Sequence, residues 1–379
     1  MDSLNEIRST FEDGLKITLK RSVRAELRQA FNYFHEASKA GHLNAGYIVG
    51  LAYLKGTGVA QSQEKAMQYL VKSASQHHLD SILALASIYV AESKIDEAIF
   101  QYLKAIELGA TFAITQIKAL LDTPLGVTFF DRLIEQELKD EIQSDDIQLA
   151  IGHFYFYGLG ESNDINTAQS WYRKAARNNN PFAFYALGNI DLSGILGNPD
   201  YLSAIDHYNN AAELGFSKGY LAIAMIHANE NIRLNGNSRD TQMKEAFKFY
   251  KKAADMGDST AIGDLAILHI HGIELGFPNY EEAYNLLSIA SDKGNLDAML
   301  NLANCLASGF GTAIDYERAQ LYYMYLSNQT GEISTIANYG LGMVRIKGFK
   351  DTTGGKVYLE KAAKNGSDEA KQALLNLKG

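Results

Sequence analysis

The chain has 379 residues, 46% of them hydrophobic and 21% charged, with 4 Pro and no low-complexity tract, which is the composition of a folded chain with a large core rather than of disordered linkers. Its 35 Lys+Arg against 44 Asp+Glu leave a net charge of −9, which argues against nucleic acid as a general partner. The single Cys, Cys305, excludes an intrachain disulfide and points to a reducing compartment.

The acidic N-terminus, MDSLNEIRSTFEDG, lacks the apolar core of a signal peptide. No later run approaches the roughly 18 apolar residues of a membrane helix. Leu4–Lys20 reads as a helix preceding the rest. On a continuous helix Lys16, Lys20, Arg24 and Arg28, with Arg21 beside them, form a basic stripe: a solvated face or a docking site for an acidic partner. At Ala30 a pattern begins that recurs to the end of the chain. Its clearest copies are Ala246–Gly257, AFKFYKKAADMG, and Ala204–Gly215, AIDHYNNAAELG, which share A-x3-Y-x2-A-A-x2-G. Looser copies start at Ala66, Ala98, Ala168, Ala283, Ala319 and Gly355. The step is mostly about 36 residues, inside the window of helical solenoids. Within a copy the apolar residues fall at i, i+3, i+4, i+7 and i+8, one face of an amphipathic helix, and the closing Gly suits a left-handed helix end. Between copies runs a second pattern, A-x3-L-(G/A), as in AGYIVGLAYLKG (Ala45–Gly56) and AFYALGNIDLSG (Ala183–Gly194). Each repeat is thus two antiparallel helices, which bury their apolar faces by stacking on neighbours.

Departures mark particular repeats. His77 and Asn179 stand where the closing Gly is expected. Leu79–Gly109 lacks the G-x-G loop seen at Gly56–Gly58, Gly158–Gly160 and Gly309–Gly311. Ala110–Asp145 lacks the Ala pair and contains Pro124-Leu125-Gly126, so a distorted stack or hinge is expected there. Asn229–Gln242 is a polar insertion between helices. Ser367–Gly379 reads as a lone polar-faced helix.

The Ala-Ala-x-x-Gly helix ends, the L-G-x-x-Y-x-x-G helices and the G-x-G loops resemble the Sel-1-like repeat family, a tetratricopeptide-like helical repeat, from about Ala30 onward. The resemblance implies an all-α, right-handed α-solenoid of about nine two-helix repeats (30–366), with capping helices at 1–29 and 367–379 and a weak unit at 110–145. Some members carry a cysteine pair in each repeat; this chain does not. The family mostly serves as scaffolds and adaptors, so a protein-binding, non-enzymatic, cytoplasmic and bacterial role is expected.

Catalytic patterns are sparse. Ser62-x-x-Lys65 matches S-x-x-K, but no K-T-G accompanies it, and Ser62 sits where a helix cap is expected. His269 and His271 stand two apart, on nearly opposite sides of a helix, and cannot share one metal ion. No cofactor or metal is expected. What remains is a surface. By the resemblance, the first helix of each repeat lines the concave face, and the (G/A) of the L-(G/A) dipeptide sets its phase. This selects Tyr47, His153, Phe156, Tyr157, Phe182, Tyr185, Asn189, Met225, Asn229, His271, Asn304, Tyr339 and Met343, with the hydrophilic Lys55, Ser87, Ser193, Ser308 and Lys347. Rings interleaved with amides suit an extended peptide, the alternative being packing between repeats. The position held by Tyr53, Tyr89 and Tyr155 becomes Asp191, His227, His269 and Arg345 in later repeats, with Leu306 interrupting. Buried polar side chains need partners, so Asp191 is expected to pair with His227 in a polar ladder along the groove, the alternative being that each reaches solvent. The expected partner is a protein or peptide in the concave groove, with neither nucleic acid nor membrane insertion. The alternatives are an inhibitor or immunity protein occluding a toxin, and a hydrolase using the groove.

Overall fold

The computed structural model describes residues 2–19, 24–139, 144–160, 163–234, 236–273 and 276–377. Among them are twenty-one α-helices and no strand. They are α1 (Asp2–Leu19), α2 (Arg24–Lys39), α3 (Leu43–Lys55), α4 (Gln63–Ala74), α5 (Leu79–Ala91), α6 (Ile95–Glu107) and α7 (Ala113–Leu121). Then come α8 (Phe129–Lys139), α9 (Asp145–Tyr157), α10 (Ile165–Arg177), α11 (Pro181–Ser193), α12 (Tyr201–Glu213), α13 (Lys218–Ala228) and α14 (Arg239–Asp255). The last seven are α15 (Ser259–Ile270), α16 (Tyr280–Asp292), α17 (Leu296–Ser308), α18 (Tyr316–Ser327), α19 (Glu332–Lys347), α20 (Thr352–Lys364) and α21 (Asp368–Asn376). Within each unit most successive helices pack on one another, as α9 on α10, α11 on α12 and α19 on α20, the pairwise packing of a helical-repeat solenoid.

Local chemistry explains where these helices stop and start. Asn180 and Asn295 cap α11 and α17, their Oδ1 atoms accepting from the backbone N–H of Ala183 at 3.0 Å and of Ala298 at 2.8 Å. Ser62, on the S-x-x-K match, accepts from Lys65 N at 3.3 Å in the same manner. His77 and Asn179, the two non-glycine residues at closing positions, have φ of 59° and 61°, the left-handed conformation that glycine supplies elsewhere.

The chain divides into two compact units, Met1–Tyr69 with Ser259–Gly379 (unit 1) and Leu70–Asp258 (unit 2). In unit 1 the N-terminal helices join repeats from the far end of the sequence. Arg8, Phe11, Glu12 and Leu15 form one stripe of α1 at i, i+3, i+4 and i+7. Arg8 makes two hydrogen bonds to Asp292, at 3.0 and 2.7 Å. Arg318 meets Glu12 at 2.6 Å, and the Tyr322 hydroxyl donates to the same carboxylate at 2.5 Å. Phe11 stacks on His42, with ring centroids 4.1 Å apart, and it is buried with Leu15, Phe34 and Leu321. Lys16 lies on α1, where it pairs with Asp13, and Arg28 on α2, which packs against α1. The basic stripe therefore does not run along one helix; Lys20 and Arg21 lie outside the described residues.

Unit 2 has its largest core around α5 to α9, where Phe129 stacks on Phe154 and Ile117 is fully buried. The segment lacking the Ala pair thus supplies α7 and α8 and an aromatic core in place of small-residue packing.

Candidate functional site

The two repeat patterns interlock through a tyrosine. Gly152 and Gly188 let the rings of Tyr172 and Tyr208 lie against the helix backbone; a Cβ at Gly188 would stand 2.6 Å from Tyr208 Cε1. Each tyrosine then reaches the residue after the glycine, or after Ala303 in the repeat of Tyr323. Tyr208 donates to Asn189 Oδ1 at 2.7 Å, and Tyr323 donates to Asn304 Oδ1 at 2.6 Å. Tyr172 Oη lies 3.0 Å from His153 Nδ1. The separation is 19 residues in all three pairs, a regularity visible in the sequence once the two patterns are aligned. Burial raises all three phenol pKa values above the usual range and keeps the hydroxyls neutral. Asn189 and Asn304 are therefore packing partners as well as surface residues, while His153 is buried.

Two cavities gather most of the residues selected by the repeat register. In unit 1 an open groove of about 1200 Å³ is lined by Asn304, Ser308, Tyr339, Met343 and Lys347, all five from the register. Tyr316, Tyr323, Glu332, Thr335 and Ile336 complete the walls, with Ser367, Asp368 and Glu369 at the start of α21. In unit 2 a small enclosed pocket of about 50 Å³ is lined by His153, Phe156, Tyr157, Phe182, Tyr185 and Asn189, together with Glu107 of α6. Sequence reasoning passed over Glu107, because its helix approaches α9 through tertiary packing that no local pattern encodes. His153 is buried, and its Nε2 lies 3.4 Å from Glu107 Oε1 without hydrogen-bond alignment. That geometry favours the tautomer with the proton on Nε2 and Tyr172 donating to Nδ1.

Tyr47, Asp191, Met225, His227, Asn229 and His271 line neither cavity. Tyr47 is half-buried, while Met225 and His271 are exposed. Asn229 Oδ1 accepts from Asn231 N at 2.8 Å in a local turn. The expected Asp191–His227 pair is not formed. Asp191 Oδ2 lies 2.7 Å from His207 Nδ1, and His227 stacks on Phe249 with ring centroids 5.7 Å apart. The reason is directional: this column faces the second helix of its own repeat. Tyr53 stacks on Tyr69, and Arg345 lies over the Tyr358 ring and pairs with Asp351. Burial lowers the His227 pKa, which suits a ring packed on phenylalanine. Among the described residues no cluster of three or more His, Cys, Asp or Glu is arranged to hold a metal ion, and no helix is long and apolar enough to cross a membrane.

Comparison with known proteins fits this geometry. Chitin synthase regulatory factor 2 of Schizosaccharomyces pombe is 27% identical over 195 residues, 46% of this chain and 38% of that protein. An uncharacterised protein of Neisseria meningitidis is 25% identical over 306 residues, 80% of this chain and 61% of that one. A chitin synthase regulator of Saccharomyces cerevisiae is 28% identical over 279 residues, 69% of this chain and 39% of that protein. The chain thus spans less than two thirds of the length of each of these relatives. Among solved structures, a protective antigen of uropathogenic Escherichia coli with an SLR fold aligns with a TM-score of 0.52 at 20% identity, over 98% of this chain and 79% of that one. The Sel1 repeat family matches residues 19–42, 45–78, 147–180, 181–216, 232–258, 259–295, 296–323 and 335–367. The longest unmatched stretch, 79–146, contains the segment without the Ala pair. With matches over most of its length, the chain belongs to the Sel1 repeat family.

Proposed function

We propose that this chain is a non-enzymatic adaptor that binds a segment of a partner protein in the open groove of unit 1. The observation that carries this reading is the groove itself. It has about 1200 Å³ of space, with Tyr339, Met343 and Ile336 set among Asn304, Thr335 and Ser308. Amides and hydroxyls at that spacing can hold a peptide backbone while the rings and the thioether take its side chains. The volume exceeds that of a common small-molecule pocket and suits an extended chain. Two relatives are named as regulators of chitin synthase, which favours a regulatory adaptor over an inhibitor that blocks an active site.

Peptides selected from a random display library on the intact protein test this reading. Tyr339→Ala and Met343→Asp should each weaken the selected peptides by about tenfold or more, the loss of one anchoring contact. Lys244→Ala, on an exposed side chain of unit 2, should leave them unchanged. Peptides that bind the groove variants as tightly as the parent would refute the assignment.

A further inference from the structure

The enclosed pocket of unit 2 is not part of that groove, and its chemistry differs. We propose that it binds an alkylammonium cation, held by aromatic faces and the Glu107 carboxylate. Phe156 and Tyr157 of α9 meet nearly at right angles, with centroids 4.9 Å apart and planes at 79°. Phe182 and Tyr185 of α11 line the same pocket. The faces of such rings carry negative potential and attract a cation, and several rings together suit one that is weakly hydrated.

Glu107 supplies the formal charge. Its side chain is 11% exposed and makes no hydrogen bond among the described residues. Its ion-pair partner there is the His153 ring, which is charged only when protonated. Two ammonium groups lie near: Lys218 Nζ donates to the Leu108 carbonyl at 3.0 Å, and Lys104, one turn before Glu107, is exposed and lines the wider cavity next to the pocket. The Tyr157 hydroxyl is neutral, its pKa pushed up to about 12 by burial and then by the charge of Glu107. A carboxylate taken out of water with neither of these lysines paired to it is costly, and an entering cation relieves that cost.

Size and access agree. A water needs roughly 10–15 Å³ of such space, so a pocket of about 50 Å³ holds a small ammonium head group. It shares Glu107, His153 and Phe182 with a wider cavity of about 640 Å³, through which the rest of the ligand enters. One carboxylate and one imidazole are too few donors for a divalent ion, which leaves an organic cation. A lysine side chain of a partner and a free small amine both present this chemistry.

Calorimetry and ligand-observed magnetic resonance on the full chain test the assignment with three probes. These are choline, its neutral isostere 3,3-dimethyl-1-butanol, and a blocked lysine peptide with and without methylation at Nζ. At least one cation should bind about tenfold or more tighter than the neutral isostere, and Glu107→Gln should remove that preference. Transfer of magnetisation from the ligand methyl groups to the ring protons of Tyr157 and Phe182 locates the site in the parent protein, with no dependence on a variant. Choline binding without lysine assigns the pocket to a free amine, and lysine binding assigns it to a partner side chain. Equal affinity for choline and its isostere, no binding of any cation, or undiminished binding by a folded Glu107→Gln protein would overturn the proposal.

Discussion

The two units use one repeat and seal it differently. In unit 2 the rings of Phe182, Tyr185 and Phe216 pack together, and Glu107 covers the residue after the repeat glycine, His153. In unit 1 the corresponding residue, Asn304, stands exposed in an open groove, and Asn189 of unit 2, which Glu107 does not cover, is exposed as well. Unit 1 is instead fastened by α1, whose Arg8 and Glu12 reach α16 and α18 through ion pairs. A residue's place in the repeat therefore sets its partner within the repeat, while exposure depends on what the rest of the chain brings opposite. Local rules build the hairpins; long-range contacts decide which faces stay open.

The sharpest way to break this comparison is to cut the ionic fastening of unit 1. Glu12→Ala removes the acceptor of both Arg318 and Tyr322. Losing one partner of a buried ion pair costs about 3–5 kcal/mol, and partial solvent access to Arg318 places the expected loss near about 3 kcal/mol. Urea denaturation measures the loss. Hydrogen exchange should accelerate in α1 and α18 and stay unchanged in α9 to α12. Uniform acceleration, or no change in either unit, would show that α1 is not the fastening of unit 1.

A second variant pair tests the glycine packing. Gly188→Ala forces a methyl to within 2.6 Å of the Tyr208 ring and should cost about 1–3 kcal/mol. Gly263→Ala, in unit 1, makes ordinary contacts with the Ala298 Cβ at 3.7 Å and Asn295 Nδ2 at 3.9 Å, so helix propensity should make it neutral or stabilising by up to about 1 kcal/mol. Similar thermal shifts in the two variants would mean that the Tyr208 ring moves aside without cost.

The comparison also separates what was legible in the sequence from what was not. Helix pairs, caps and left-handed ends at His77 and Asn179 depend on residues a few positions apart, and the pattern displays them directly. The same local geometry puts Asn304, Tyr339 and Met343 on one wall. Glu12 and Arg318 are separated by 306 positions, and no period links them. Glu107 faces His153 for a similarly non-local reason. The Asp191 column shows a different failure. Periodicity located its face of the helix but not the neighbouring helix it meets, and the partner was His207.

Two tyrosines with the same bond but different surroundings sharpen the contrast between enclosed and open faces. Tyr172→Phe leaves buried His153 without its hydroxyl partner, a loss of about 1–2 kcal/mol for an unsatisfied buried group. Tyr323→Phe leaves Asn304 exposed, where water replaces the hydroxyl, so about 0.5 kcal/mol is expected. Equal losses in denaturant titrations would show that both sites are equally hydrated.

The smallest effect concerns a helix cap in unit 2. His78 caps α5, its Nδ1 accepting from Ser81 N at 3.3 Å and lying 3.0 Å from Ser81 Oγ. Burial lowers its pKa below the ordinary histidine value of 6.5, against the opposing pull of Asp80. The native state thus holds the ring neutral, while the unfolded chain takes up a proton as the pH falls through 6.5. Between that value and the lower native one the unfolded state binds more protons, so stability falls as the pH falls. Protonation of the native state also turns the accepting nitrogen into a donor and breaks the cap. Asn180 and Asn295 perform the same capping with an amide oxygen that does not titrate. His78→Asn should therefore match the parent at pH 8, to within about 0.5 kcal/mol for exchange of one capping acceptor for another. On acidification from pH 7 to 5 the variant should lose less stability than the parent. His77 and the carboxylates titrate in both proteins, so the difference between the two denaturation curves isolates His78. Parallel curves across that range would mean that His78 is not held neutral by the fold.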